Sequence, residues 1–583
     1  MSALIDVENI RYDYTLPSGK THRALTDISL TIQEGEYVAI LGANGSGKTT
    51  LARHLNGLLL PTQGSVRVAG LDTREPQHQN RIRALVGMVF QYPEDQIIAT
   101  VVEEDVAFGM ENLGLPPAEI RQGVETALRQ VEMWEARQRP AYLLSAGQQQ
   151  RVALAGVLGM RSRAIVFDEA TAMLDPAGKR AVLEMMDRLH REGITILTIT
   201  HSMSEAARAE RLVVLNRGEL AMDGAPAQVF RQREALRAMG LDLPPAARLA
   251  EALRPFFPGV DSDVLTVAAL AQAIPSFPHD GEAPRPPDGQ PSLPVDGAEP
   301  LIEVMELGHI YLAGTPLAQR ALAGADLRVA PGSAHGLLGA TGSGKSTLLQ
   351  HLNGLLTPQE GYVRVGPYSL NHPNLDVRLV RRMAGLVFQI PENQFFEQYV
   401  GDEISYGPRM LGVRTTLREE VRQAMEVVGL DFETYKDRLT FTLSGGERRK
   451  VALASILAIQ PEILLLDEPT AGLDPASRSE LLTNLNALHA QGRTLVVSSH
   501  QMDDLAELAD NLTVMQAGKD QLSGPASAVF GQADALRGWG LEPPEAAQLA
   551  GALRARGWPI PIEVYRMREL VDALAGLLRM AAP

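Results

Sequence analysis

Short, uninterrupted apolar runs alternate with longer stretches of mixed polarity along this chain. YVAILG (37–42), AIVFDE (164–169) and ITILTITH (194–201) are rich in β-branched and other apolar residues and show no polar alternation. Such runs fit strands buried on both faces, as in a parallel sheet. The longer stretches between them have amphipathic, helical patterning. The prediction is an α/β fold, a sheet flanked by helices.

The pattern then repeats. HLNGLLLPTQGSVRV at 54–68 returns as HLNGLLTPQEGYVRV at 351–365, and GMVFQYPEDQ at 87–96 as GLVFQIPENQ at 385–394. IVFDEATAMLDPA at 165–177 returns as LLLDEPTAGLDPA at 464–476. The offset grows from 297 through 298 to 299, so two copies of one fold differ by small loop insertions. Even the tails repeat: GAPAQVFRQREALRAMG at 224–240 is echoed by GPASAVFGQADALRGWG at 524–540. The expected domains are 1–275 and 301–583, each ending in a small helical extension. Residues 276–300, dominated by proline, glycine and acids, cannot build a core and read as a linker. A tether of that length reaches about 25–30 Å, enough for two domains to meet face to face.

Composition narrows the function. The 583 residues carry a net charge of −16, which gives no sign of a surface built to hold nucleic acid. There is no cysteine, which removes disulfides, cysteine-ligated zinc and thiol catalysis. The opening MSALIDVENIRYDYT lacks the apolar core of a secretory signal. No window of about 18 apolar residues is present, so a membrane crossing would have to come from another chain.

The chemistry lies in three segments of each copy. GANGSGKT (42–49) and GATGSGKS (339–346) both fit GxxxxGK[ST] between a buried strand and a helix, the context of a phosphate-binding loop. Gly42, Gly45 and Gly47 would bend the backbone so that successive N–H groups, and the positive end of the helix, face a phosphate. Gly339, Gly342 and Gly344 repeat them. Lys48 and Lys345 would reach the β- and γ-phosphates, and Thr49 and Ser346 would ligate Mg²⁺. The loop residues Asn44, Ser46, Thr50, Thr341, Ser343 and Thr347 complete the expected ATP contacts. Asp168 and Asp467 each end a strand, 120 and 122 residues beyond the loop lysine, and suit a grip on Mg²⁺. The neighbouring Glu169 and Glu468 are placed to take a proton from the attacking water. His201 and His500 follow the next buried strand, where an imidazole would hold the γ-phosphate and water in line.

LSAGQQQR (144–151) and LSGGERRK (443–450) then bring out a family. With the segments around them they resemble the ABC signature, LSGGQ, and the chain is identified as two tandem ABC-type P-loop ATPase domains, each with a helical signature subdomain. The resemblance implies that ATP is sandwiched, the cradle of one domain facing the signature of the other. One site would join Tyr14, Lys48, Thr49, Gln91, Asp168, Glu169 and His201 to Ser444 and Gly446. The other would join Tyr311, Lys345, Ser346, Gln389, Asp467, Glu468 and His500 to Ser145 and Gly147. By the same resemblance Tyr14 and Tyr311 stack on adenine, Gln91 and Gln389 add to the Mg²⁺ site, and Asp175 and Asp474 cross the interface. FQYPEDQ and FQIPENQFF further resemble the FQxPExQ pattern of energy-coupling factor (ECF) importers of vitamins, their precursors and metal ions. That likeness implies a membrane T-component, a separate substrate-binding S-component, no nucleic acid, and a place on the cytoplasmic face of the cell membrane. An ATPase of another ABC importer or exporter shares the chemistry. A soluble twin-ABC protein acting on ribosomes fits the acidic, proline-rich linker poorly.

The copies differ at one expected contact. Ala146 stands where the second signature has Gly445. If that position needs positive φ, a Cβ there costs on the order of 1 kcal/mol or more. The site using the first signature would then be the slower.

Overall fold

The computed structural model describes residues 3–15, 21–172, 174, 176–260, 263–277, 299–315, 317–412 and 415–581. Most of the expected linker therefore lies outside the described residues. In the first copy, Val86–Val89, Ala164–Asp168, Thr195–Ile199, Tyr37–Leu41 and Arg211–Asn216 lie side by side in parallel, and Glu219–Gly224 closes one edge antiparallel. The second copy repeats this order around Ala334–Leu338, Ile463–Asp467 and Thr494–Ser498. A four-stranded antiparallel sheet in each copy, led by Ala3–Thr15 and Ile302–Tyr311, covers one side.

The unbroken apolar runs follow from two cores. Val38, Ile40, Val166, Leu197 and Ile199 face the antiparallel sheet, whereas Tyr37, Ala39, Leu41, Ile165 and Phe167 face helices. Every position of Tyr37–Leu41, Ala164–Asp168 and Thr195–Ile199 is thus buried, and alternation in these runs would expose a polar side chain to one core or the other. Three helices, Val102–Asn112, Pro117–Gln130 and Ala146–Gly159, form the first signature subdomain. Their counterparts are Val400–Met410, Leu417–Val427 and Gly445–Leu457. Among the described residues no helix is long and apolar enough to cross a membrane.

Packing divides the chain elsewhere than the repeat does. One compact unit holds Met1–Arg248 with Ser262–Thr266, and the other holds Leu249–Asp261 with Val267–Pro583. Within the latter, the helix Val267–Ala273 lies on the helix Glu545–Arg554. Trp558, 2% exposed, anchors this junction: its Nε1 donates to Pro275 O at 3.0 Å, and its ring meets Phe257 and Phe277 edge-on. The end of the first repeat thus belongs to the core that the second repeat builds.

Trp558→Ala removes the anchor and should cost about 3–5 kcal/mol of the stability of the second unit, read as a lowered denaturant midpoint and earlier cleavage near residue 275 under limited proteolysis. His335 on the central strand is buried and bonded to Thr513 Oγ1 at 2.8 Å, and burial pushes its pKa down to about 4. The unfolded chain takes up a proton near the ordinary histidine value of about 6.5 while the folded chain does not. Stability contributed by the neutral ring is therefore complete above about pH 6.5 and falls as the pH drops towards 4, by about 3 kcal/mol. His335→Val, which copies Val38 of the first repeat, should flatten that slope in denaturation curves taken between pH 7 and pH 4.5.

Candidate functional site

Both expected phosphate loops turn on glycines in the left-handed region. Gly45 and Gly47 adopt φ of 76° and 100°, and Gly342 and Gly344 adopt 79° and 104°. A Cβ on Gly47 would come within 2.7 Å of Ala24 O, and one on Gly344 within 2.7 Å of Ala321 O, so both positions demand glycine. The helices Lys48–Leu55 and Lys345–Leu352 start directly after them, and their first N–H groups have no partner within the helix. Lys48 Nζ donates to Gly42 O and Ala43 O at 2.9 and 3.0 Å, and Lys345 Nζ to Gly339 O and Ala340 O at 2.6 and 3.0 Å. Each ammonium is therefore curled inside its own loop. Ser46 Oγ and Ser343 Oγ are buried in the loops without a hydrogen-bond partner, a polar atom left for a ligand to satisfy. Asn44 and Thr341 sit at the loop turns.

The acids meet this loop at the end of the central sheet. Thr49 Oγ1 donates to Asp168 Oδ1 at 3.1 Å. Ser346 makes the same contact to Asp467, which also accepts from Ser498 Oγ at 2.6 Å. Burial first, and then the neighbouring Glu169, push Asp168 up to about 6; burial also raises Asp467. A hydroxyl beside a buried carboxylate short of positive charge fits Mg²⁺, which needs only one or two protein groups when phosphates supply the rest. That also accounts for the lack, among the described residues, of any cluster of three metal-binding side chains.

Glu169 and Glu468 both have left-handed backbones, with φ of 50° and 47°. Non-glycine residues rarely adopt this conformation, which costs about 1–2 kcal/mol. It turns the chain so that Glu169 N donates to Ile199 O at 3.0 Å and Glu468 N to Ser498 O at 3.1 Å. Each carboxylate then meets its histidine. His201 Nε2 lies 2.6 Å from Glu169 Oε1, at ion-pair distance without hydrogen-bond alignment, and His500 Nδ1 lies 2.9 Å from Glu468 Oε2. Gln91 Nε2 donates to Glu169 Oε2 at 3.0 Å. Burial would raise Glu468, but His500 and Lys345 together hold the carboxyl below its usual value. A carboxylate kept ionised beside an imidazole is suited to accept a proton.

The remaining predicted residues fall at the ends of helices and strands. Ser145 and Ser444 cap the signature helices Ala146–Gly159 and Gly445–Leu457, each in a reciprocal capping box, with Gly147 and Gly446 in the first turn. Tyr14 and Tyr311 hydroxyls lie 3.2 and 3.3 Å from Thr50 Oγ1 and Thr347 Oγ1, tying both rings to the phosphate-loop helices. Asp474 caps the helix Pro475–Ala490, accepting from Ser477 N at 2.8 Å, while Asp175 lies outside the described residues. The sequence expectation of strain at Ala146 is corrected. Gly445 is the first residue of an ordinary helix, its φ is not left-handed, and an added Cβ would meet nothing within 4 Å. Alanine fits that position, so the argument for a slower site falls.

Sequence reasoning missed Arg449. Its Nη1 donates to Glu468 O at 2.6 Å and its Nη2 to Gln389 O at 3.1 Å, joining the signature helix to two other site segments. The matching Gln150 reaches only as far as Phe90 O, at 3.3 Å. The cue was an extra arginine inside the second signature, absent from the first.

The ABC transporter family model matches residues 25–172 and 322–471, both phosphate loops, Gln residues, signatures and Asp-Glu pairs included. A relative from Methanosarcina mazei, assigned by name to the ABC transporter ATP-binding proteins, is 32% identical over 96% of this chain and 95% of its own. Energy-coupling factor transporter ATP-binding proteins EcfA1 are similar to half of the chain. The one from Symbiobacterium thermophilum is 54% identical over 43% of this chain and 88% of its own, and that from Caldanaerobacter subterraneus 46% over 47% and 99%. This chain belongs to the ABC transporter family and carries two of its ATP-binding domains in one polypeptide.

Proposed function

We propose that this chain is the ATP-hydrolysing subunit of an ECF-type membrane importer, for a vitamin, a vitamin precursor or a metal ion. One observation carries the reading: each copy brings a phosphate loop, a buried Asp at its hydroxyl and a Glu–His pair to one sheet end. The half-chain likeness to EcfA1 proteins supports the importer type.

On this reading Lys48 and Lys345 exchange their loop carbonyls for the β- and γ-phosphates of ATP. Thr49, Asp168 and Gln91, and Ser346, Asp467 and Gln389, would hold Mg²⁺, which when bound neutralises charge between the β- and γ-phosphates. Glu169 and Glu468 accept the proton of the attacking water, and His201 and His500 orient water and γ-phosphate. Tyr14 and Tyr311 stack on adenine. Ser444 and Gly446 complete the first site and Ser145 and Gly147 the second, with Asp175 and Asp474 at the seam. ATP then favours the closed pair because only that state makes the signature contacts, and hydrolysis removes the preference. Closure within one chain gains from a high effective concentration. A T-component would transmit the motion and an S-component would choose the cargo, with this chain on the cytoplasmic face of the membrane.

Both Glu residues should matter. Glu169→Gln and Glu468→Gln should each reduce steady-state ATP turnover to about half or less, and together by about 10²-fold or more, with KM for ATP little changed. Unchanged turnover in Glu468→Gln would mean that the second constellation does not hydrolyse. Affinity purification of the full chain from detergent-solubilised membranes should bring down an integral-membrane T-component with a small S-component; recovery with ribosomes instead would refute the importer reading.

A further inference from the structure

A buried carboxylate outside the predicted site ties its two catalytic loops together. Glu205, 4% exposed, lies on the short helix Met203–Ala206 just after His201. Its Oε1 accepts from Thr171 Oγ1 at 2.9 Å and from Lys179 Nζ at 2.6 Å, and its Oε2 accepts from Thr200 Oγ1 at 2.8 Å. Thr171 is two residues beyond Glu169, and Thr200 is the residue before His201. Lys179 lies on the helix Pro176–Arg191 that follows the same loop. One carboxylate therefore holds the loop that presents Glu169 and the loop that presents His201.

In the second copy Asp504, on the helix Met502–Leu508 just after His500, reaches the Glu468 loop through different side chains, without a match for the bond that Thr200 gives Glu205. Asp504, 3% exposed, accepts from Thr470 Oγ1, and Arg478 Nε pairs with its Oδ1 at 2.5 Å. A shorter acid is matched by a longer, forked cation, and a longer acid by lysine. The charge and the bridge persist while both partners change size, as expected of a pair selected to span a fixed gap. Neither carboxylate touches the reacting centre. Each is buried with a cation and with one hydroxyl donor or two, an arrangement that costs desolvation and is tolerated only when well partnered.

We infer that Glu205 and Asp504 are positioning residues that set the Glu169–His201 and Glu468–His500 contacts for hydrolysis. The inference rests on the proposed roles of those pairs. Loosening the clamp lets the left-handed Glu backbone relax and the carboxylate leave its histidine, while the phosphate loop is untouched. Turnover therefore falls without a matching loss of ATP affinity.

The test uses the full-length chain and steady-state ATPase kinetics. Glu205→Asp with Asp504→Glu, which mismatches both clamps, should lower kcat about tenfold with KM for ATP within about twofold. Adding Lys179→Arg and Arg478→Lys, so that each copy carries the other's matched set, should restore most of kcat. Glu205→Gln with Asp504→Asn, if folded, should show the same kcat loss. Unchanged kcat in the mismatched chain, an equal rise in KM, or no recovery in the exchanged chain would overturn the inference. Absence of turnover in the unsubstituted chain would overturn the functional reading, and this inference with it.

Discussion

Two adjacent carboxylates at the end of an apolar strand are the costly element on which the rest of each copy depends. Asp168 and Glu169, like Asp467 and Glu468, sit where the sheet ends beneath a loop lysine that is engaged by its own carbonyls. Burial and the neighbouring Glu169 push Asp168 up to about 6, so a negative charge there is only partly compensated. On the proposed reading, a cation and a phosphate chain would supply what is missing. The same constraint explains the left-handed Glu backbones, which bring each carboxylate to a histidine instead of to its neighbouring aspartate.

How much of this was legible in the sequence depended on whether the chemistry was contiguous. The phosphate loops, the Asp-Glu strand ends and the signature caps are set by residues a few positions apart, and their glycines meet specific backbone atoms of Ala24 and Ala321. The strands were legible because both faces of each are buried in separate cores. The clamps at Glu205 and Asp504 were not, since Thr171 and Glu205 are separated by 34 residues and meet only through the fold. Strain at Ala146 was inferred from glycine identity alone, whereas the matching Gly445 is helical and has room for a Cβ. Glycine in a motif reports a positive φ only when the turn requires one, as at Gly47 and Gly344.

The two copies are equivalent in plan and unequal in wiring. The second adds Arg449 between the signature helix, Gln389 and Glu468, and Ser498 on Asp467. The first uses Gln150, and a lysine in place of Arg478. At the Trp558 junction the tail of the first repeat packs into the second unit's core, a tie built from side chains outside the ATP-site segments.

The central claim is that nucleotide closes two half-sites carried by one polypeptide. The direct measurement combines small-angle scattering with bound-nucleotide quantification on the Glu169→Gln, Glu468→Gln chain, with and without Mg-ATP. The account predicts about two retained ATP per chain and a smaller radius of gyration than in the nucleotide-free protein, because binding favours the closed state and hydrolysis no longer reverses it. Unchanged dimensions with no retained ATP would contradict it.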